Sequence, residues 1–323
     1  MHRRRTALRG FAMVVLASLV VAACGSSSDS SSDPNTLLSQ TFSGTHRVTS
    51  GDLNLTLTID PSGSSVVNGP ITVSFGGPFQ TRGSGKLPES NFTVSASAMG
   101  QNVALGILST GTAGYVTLQG TSYQLPPATF QNLESSFAQL ASSPGGGSSG
   151  TLAKLGIHPL QWLTNPTIVG TENVGGAQTT HIHAGVNSGV LLSDVNTFLQ
   201  KASSVTPAGT TSLKSGLSAA SRNKIAAAVE HPSVDIWTGT GDRTIRRLTI
   251  ALTLPVTGKT STQLGGMKSA DIGLTMQYSD LNQPQTIVAP TNLRPFSEFQ
   301  GKLAAVERTL QGAAAGALGS SGG

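Results

Sequence analysis

Apolar and polar residues alternate strictly along much of this chain. Leu53, Leu55, Leu57 and Ile59 are interleaved with Asn54, Thr56, Thr58 and Asp60. The same period of two runs through Ile71, Val73 and Phe75, then Phe92, Val94, Ala96 and Ala98. It returns in Leu248, Ile250, Leu252 and Leu254, and in Ile272, Leu274, Met276 and Tyr278. Successive strand side chains point to opposite faces, so this pattern predicts strands with one buried and one wet face, hence an antiparallel sheet. Turn signals at Ser50-Gly51-Asp52, Met99-Gly100-Gln101, Gln119-Gly120-Thr121 and Gly175-Gly176 predict hairpins between them, giving roughly ten to twelve strands.

Helical spacing is rarer. Phe130, Leu133, Phe137 and Leu140 form one stripe; Leu191, Leu192, Val195, Phe198 and Leu199 form a second; Ser218 to Glu230 forms a third, with Ile225 and Val229 on one face. A short turn is expected from His158 to Leu163, and Pro166 and Pro232 stop the segments before them. The expected fold is α+β: a large curved antiparallel sheet, a half-barrel, wrapped over a few helices. Inward strand residues outnumber what so few helices can cover, and they are mostly small aliphatics. An apolar cavity that needs an occupant follows. Its expected lining is Val73, Phe75, Val94, Leu105, Ile250, Leu252 and Met276 from strands, with Phe137, Leu192, Val195 and Phe198 from helices.

The N-terminus changes the picture. Arg3, Arg4, Arg5 and Arg9 precede an apolar run from Phe11 to Ala23, about 13 residues, too short to span a bilayer but right for a secretory leader. The run ends Val21-Ala22-Ala23-Cys24, which resembles the bacterial lipobox, and Cys24 is the only cysteine. The expectation is a signal peptide over 1–23, an acyl group such as palmitate on Cys24, and a lipidated tether over 24–35. A single domain over 36–300 and an Ala/Gly/Ser-rich tail over 301–323 complete the division. Gly25 to Asp33 reads as flexible linker, and Ser142 to Gly150 as a loop interrupting the domain. A lone thiol in an exported protein leaves no disulfide framework.

Charge then loses its apparent message. Lys and Arg total 20 against 15 Asp and Glu, but removing the four leader arginines leaves 16 against 15, a balance of +1. The basic excess belongs to the leader, so no nucleic-acid partner is expected.

Candidate chemistry is thin. Ser221-Arg222-Asn223-Lys224 matches S-x-x-K without its companion motifs and reads as a solvated helix face. His181 and His183 have metal-ligand spacing on one strand face, but no spacing brings in His46, His158 or His231, so they read as polar residues on the wet side of an edge hairpin. Gly83-Ser84-Gly85-Lys86 lacks the frame of a phosphate loop. Arg246 and Arg247, beside Arg243, read as a solvated strand end that would be the spot to meet anionic headgroups. Trp162 and Trp237 read as core or rim residues. No catalytic residue, metal or cofactor is expected, and the chain is not read as an enzyme.

Several stretches, in order, resemble the LolA-like lipoprotein superfamily, in particular the actinobacterial LppX/LprAFG lipoproteins. They are Gly114-Tyr115-Val116 with Gly120 to Leu125, Pro159 to Leu163 with Gly170 to Gly176 and Thr180 to His183, Ser233 to Trp237 with Ile245 to Leu248, and Tyr278 to Leu281 with Pro290. The likeness spans roughly 110–295 and rests on motif order. The resemblance implies a half-barrel sheet over helices and a cavity for acyl chains. It implies an extracytoplasmic, lipid-anchored protein that binds or carries a lipid or glycolipid, with a membrane transporter as a further candidate partner. The alternative is a sensor or scaffold of the same fold that binds a protein.

Overall fold

The computed structural model describes residues 33–43, 46–83, 85–142, 156–205, 216–302 and 304–305. The leader, Cys24, most of the tether, the 142–150 loop beyond Ser142 and the final tail lie outside the described residues. The described residues from Asp33 onward form one compact unit.

Strict alternation produces strands wherever it was found. The chain runs α1 (Pro34–Thr41), β1 (Ser50–Ser62), β2 (Ile71–Gln80), β3 (Glu89–Ala98), β4 (Gln101–Ser109), β5 (Gly114–Leu118) and β6 (Thr121–Gln124). Then come α2 (Pro127–Ser142), α3 (Pro159–Trp162), β7 (Leu163–Val174), β8 (Ala177–Val186), α4 (Ser188–Val205) and α5 (Ala219–Ala228). It closes with β9 (Glu230–Gly239), β10 (Ile245–Pro255), α6 (Gly258–Gln263), β11 (Ser269–Ser279) and β12 (Leu293–Arg294), followed by helical residues 296–302. All strands join one twelve-stranded sheet in the order β12-β6-β5-β4-β3-β2-β1-β11-β10-β9-β8-β7. Every pair is antiparallel except β12 beside β6. The α+β architecture agrees with the expected open sheet accompanied by helices.

The hairpin signals were mostly correct. Met99-Gly100, Gln119-Gly120 and Gly175-Gly176 each take positive φ at both positions, the backbone twist that tight antiparallel turns require. Ser50-Gly51-Asp52 is no turn. Gly51 is extended inside β1 (φ 158°) and pairs with Phe79, so that strand starts three residues before its alternation shows. The sequence also hid α1, whose first residue falls where the tether was expected. Asp33 caps it by accepting from the Thr36 N–H at 2.9 Å, and Pro34 supplies a first-turn φ at no hydrogen-bond cost.

Two glycines shape the sheet. At Gly77 (φ 139°) a Cβ would fall 2.1 Å from the Asn91 carbonyl oxygen, so β2 and β3 approach there only because no side chain intervenes. At Gly175 (φ 59°) a Cβ would fall 2.2 Å from the Tyr278 carbonyl oxygen. Gly175 lies in the β7–β8 turn and Tyr278 on β11, with β9 and β10 between them in the sheet. Such contact requires the sheet to curl at this end. The β7 edge is blunted: its pairing to β8 slips between Thr164 and Thr167, around Pro166, and again between Ile168 and Gly170.

Candidate functional site

Register places the strand residues expected to line a cavity on one face. One row of directly paired residues crosses ten strands: Leu118, Leu105, Val94, Phe75, Leu55, Met276, Leu248, Ile236, Ile182 and Ile168. A second row runs through Val103, Ala96, Val73, Leu57, Leu274, Ile250, Val234 and Ala184. Ile71, Ile59, Ile272 and Leu252 begin a third. No charged residue stands in these rows, so the inner face is uniformly apolar.

Burial along each row is far from uniform. At the β8–β10 end Ile182, Ile236 and Val234 are sealed, under Leu37, Leu38 and Phe42 of the α1 segment, Trp162 of α3 and Leu191 of α4. At the other end Val116, Leu118 and Tyr123 are sealed under Phe299. Between the two cores, on β1 to β4 and β11, the same face is only half covered: Leu55, Leu57, Phe75, Val94, Leu274 and Met276 are intermediate, and Ala96 is exposed. Val73 and Ile107 are each 39% exposed. The result is a partly open apolar trough five strands across, about 19 Å at the usual inter-strand spacing.

The expected lining thus divides. Val73, Phe75, Val94 and Leu252 lie on the partly covered stretch, while Leu105 packs against the second core and Met276 against the first. Ile250 does not lie there, because it is buried in the first core. On the helices Phe137, Leu192 and Phe198 are half-buried, whereas Val195 is 42% exposed. The helix α2 touches the sheet through Phe130, whose ring lies against Gly114, and leaves Leu133 exposed. Tyr278 shares the inner face beside Phe79, and burial pushes its hydroxyl pKa above the ordinary value.

Sequence reasoning missed the polar ties that hold α4 in place. Asp194 is buried, accepting from the His158 N–H at 2.6 Å and from Trp162 Nε1 at 2.9 Å. Asn196 is buried as well and accepts from the Leu217 N–H at 2.6 Å. Both polar residues sit in a helix read only for its apolar stripe, so nothing local announced their partners.

The outer face over β7 to β11 holds the remaining candidates. His181 Nε2 and His183 Nδ1 each lie 2.8 Å from Asp235 Oδ1. The His181 ring stacks on Trp237 at 4.3 Å, Arg247 lies over the same indole at 5.1 Å, and Trp237 Nε1 donates to Glu172. The histidines face outward as expected, but they are hydrogen-bonded rather than freely solvated. Among the described residues no group of three or more His, Cys, Asp or Glu has metal-holding geometry. Arg246 corrects the reading of a solvated strand end: it is buried and donates to Asp242 Oδ2 at 2.7 Å. Burial alone would raise the Asp242 carboxyl, but hydrogen bonds from Arg246 and the Thr244 N–H, with the Arg246 charge, bring it below the ordinary value. Ser218 caps α5 by accepting from the Ser221 N–H at 3.1 Å, and Ser221 and Lys224 are both exposed. No described helix is long and apolar enough to cross a membrane.

No family model matches this chain, and no curated protein matches its sequence. Solved structures do resemble it. LprF from Mycobacterium bovis is 14% identical, with 80% of this chain and 97% of that chain covered and a TM-score of 0.38. The Mycobacterium tuberculosis lipoprotein LppX is 15% identical, covering 80% of this chain and all of that one, with a TM-score of 0.35. A LolA superfamily protein from Nitrosomonas europaea is 9% identical over 78% of this chain and 94% of its own, with a TM-score of 0.18. These are likenesses of outline and fix neither ligand nor partner here.

Proposed function

We propose that this chain is a lipid-anchored envelope protein whose apolar trough holds the acyl chains of a lipid or glycolipid. The observation that carries the reading is the burial profile along the inner rows: buried on β8 to β10 and on β5, only partly covered on β1 to β4 and β11, and without charge throughout. An exposed apolar surface of this extent is costly in water and marks a site that something covers. Acyl chains suit it because the rows offer only hydrocarbon and no hydrogen-bonding partner. The lone Cys24 at the end of an apolar leader supports anchoring on the extracytoplasmic face, with the anchor attached to the same chain whose α1 is built into the first core. Nothing in the trough arranges a nucleophile or an acid–base pair, which supports a binding role over an enzymatic one.

The test is to purify the body from residue 25 onward, so that no covalent acyl group contributes, and to analyse its lipid extract by mass spectrometry. Stoichiometric co-purified acyl lipid is expected. A lipid-free body that also takes up no fluorescent fatty acid would transfer the trough to a protein ligand, the sensor or scaffold reading. Anchoring is tested separately: Cys24→Ala should abolish incorporation of labelled palmitate, and labelling that persists would exclude Cys24 as the acylated residue.

A further inference from the structure

The outer face divides as sharply as the inner one. Over β7 to β11 it carries the His181–Trp237–Arg247 stack and its carboxylates, all occupied with one another. Over β3 to β5 it carries no charge beyond Glu89 at the start of β3: from Ser90 through Leu133 the chain contains no Asp, Glu, Lys, Arg or His. In the middle of this region Thr93, Gly106 and Thr117 are directly paired across three strands. The missing side chain at Gly106 leaves a depression of about 480 Å³ walled by Asn91, Thr93, Asn102, Thr117 and Gln119. That volume falls within the roughly 300–1,000 Å³ range of small-ligand sites.

The wall chemistry restricts what fits. Three carboxamides and two hydroxyls line it lengthwise, Thr93 and Thr117 at its middle with Asn91 towards one end and Asn102 and Gln119 towards the other, and each such group both donates and accepts. Thr117 Oγ1 is engaged with Ser122 Oγ at 2.9 Å, while no hydrogen bond occupies the side chains of Asn91, Thr93, Asn102 or Gln119. A charged ligand would find no counter-charge, since Glu89 at the start of β3 is paired with Arg82. An apolar ligand would strand the amides. A neutral polyhydroxylated ligand matches, because each of its hydroxyls also donates and accepts. We propose that this depression binds a unit of a neutral saccharide, independently of what the trough holds. No aromatic face lines the site, so affinity rests on hydrogen bonds, and a single unit should bind at about the millimolar level.

The experiment is an NMR titration of the compact unit from Asp33 onward with maltotriose and cellotriose, up to about 50 mM to cover millimolar affinity. Trigalacturonate serves as the charged control. Shifts confined to the amides of residues 91–93, 102–106 and 117–120, with one of the neutral sugars only, are expected. Thr93→Val and Asn102→Leu preserve strand shape while removing hydrogen-bonding groups, and each should weaken binding about tenfold, the equivalent of one good hydrogen bond. The proposal is overturned by absent or scattered shifts, by equal shifts with the charged sugar, or by wild-type affinity in both variants. Sedimentation showing a dimer that buries this face would overturn it too.

Discussion

The β8–β10 flank and the β1–β4 centre have the same inner-face sequence pattern and opposite fates. Ile182, Ile236 and Val234 are sealed by α1, α3 and α4, while Leu55, Leu57 and Phe75 stand on the same face only partly buried. Alternation determines which face is apolar, not whether anything covers it. In the flank, apolar burial stabilises the fold; in the centre the same residues are held available by the strands beside them.

The largest expected effect breaks this comparison most directly. Ile236→Ala removes buried methylenes from a packed core and should cost about 2–5 kcal/mol in denaturant unfolding. Leu55→Ala, its counterpart in the same row on β1, should cost about 1 kcal/mol or less, because that side chain gains only partial burial. Equal losses would mean that the centre is as closely packed as the flank, and the trough would not exist.

A smaller effect is expected where the sheet curls. Gly175→Ala combines a positive φ with a collision against the Tyr278 carbonyl, and should cost about 1–3 kcal/mol in the same assay. A neutral result would show that the β7–β8 turn does not need its contact with β11, and that the curl has another cause.

Strand positions, hairpin turns and the helices after β6 and β8 were legible because period and turn chemistry are local signals. The limit appears at Leu53–Ile59 and Leu248–Leu254, whose patterns match although only the second contributes buried core residues. Coverage is set by elements far away in sequence, such as α1 meeting β9 through Thr41 and Thr238, whose hydroxyls lie 2.8 Å apart. Asp33-Pro34 was a readable helix start masked by the serine-rich run before it. The Asp235 bridge between His181 and His183 depends on the register of β8 against β9, which no short window shows; Asp242 and Arg246 are only four residues apart, and what the window hides there is the burial of Arg246.

The Asp242–Arg246 pair yields a pH prediction. Because the folded-state pKa of Asp242 is depressed, its contribution is present above the ordinary carboxylate pKa and is lost as pH falls through the lowered value. Asp242→Asn should therefore destabilise the protein at pH 7 by about 1–2 kcal/mol, since Arg246 stays buried without its charge partner while the exposed carboxylate was partly screened. The gap between variant and wild type should narrow in acid, below about pH 4 where carboxylates protonate. A gap that stays constant to pH 2 would remove the ion pair from the account.

The smallest stability change carries the most functional weight. Leu252 pairs with Ile272 in the third inner row, at the edge of the trough, and is half-buried. Leu252→Trp adds an indole to a position that the fold leaves only partly buried. In a filled core such overpacking costs about 1–3 kcal/mol. Beside an open trough the ring can lie along the sheet, covering apolar surface without displacing a neighbour, so thermal unfolding of the lipid-free body should hardly move. Binding should respond instead, because the indole occupies volume meant for an acyl chain; uptake of a fluorescent fatty acid should fall several-fold. The two readouts separate the alternatives. Lost stability with unchanged uptake would place Leu252 in a core and the acyl site elsewhere, whereas unchanged stability with reduced uptake would locate the ligand against β10 and β11.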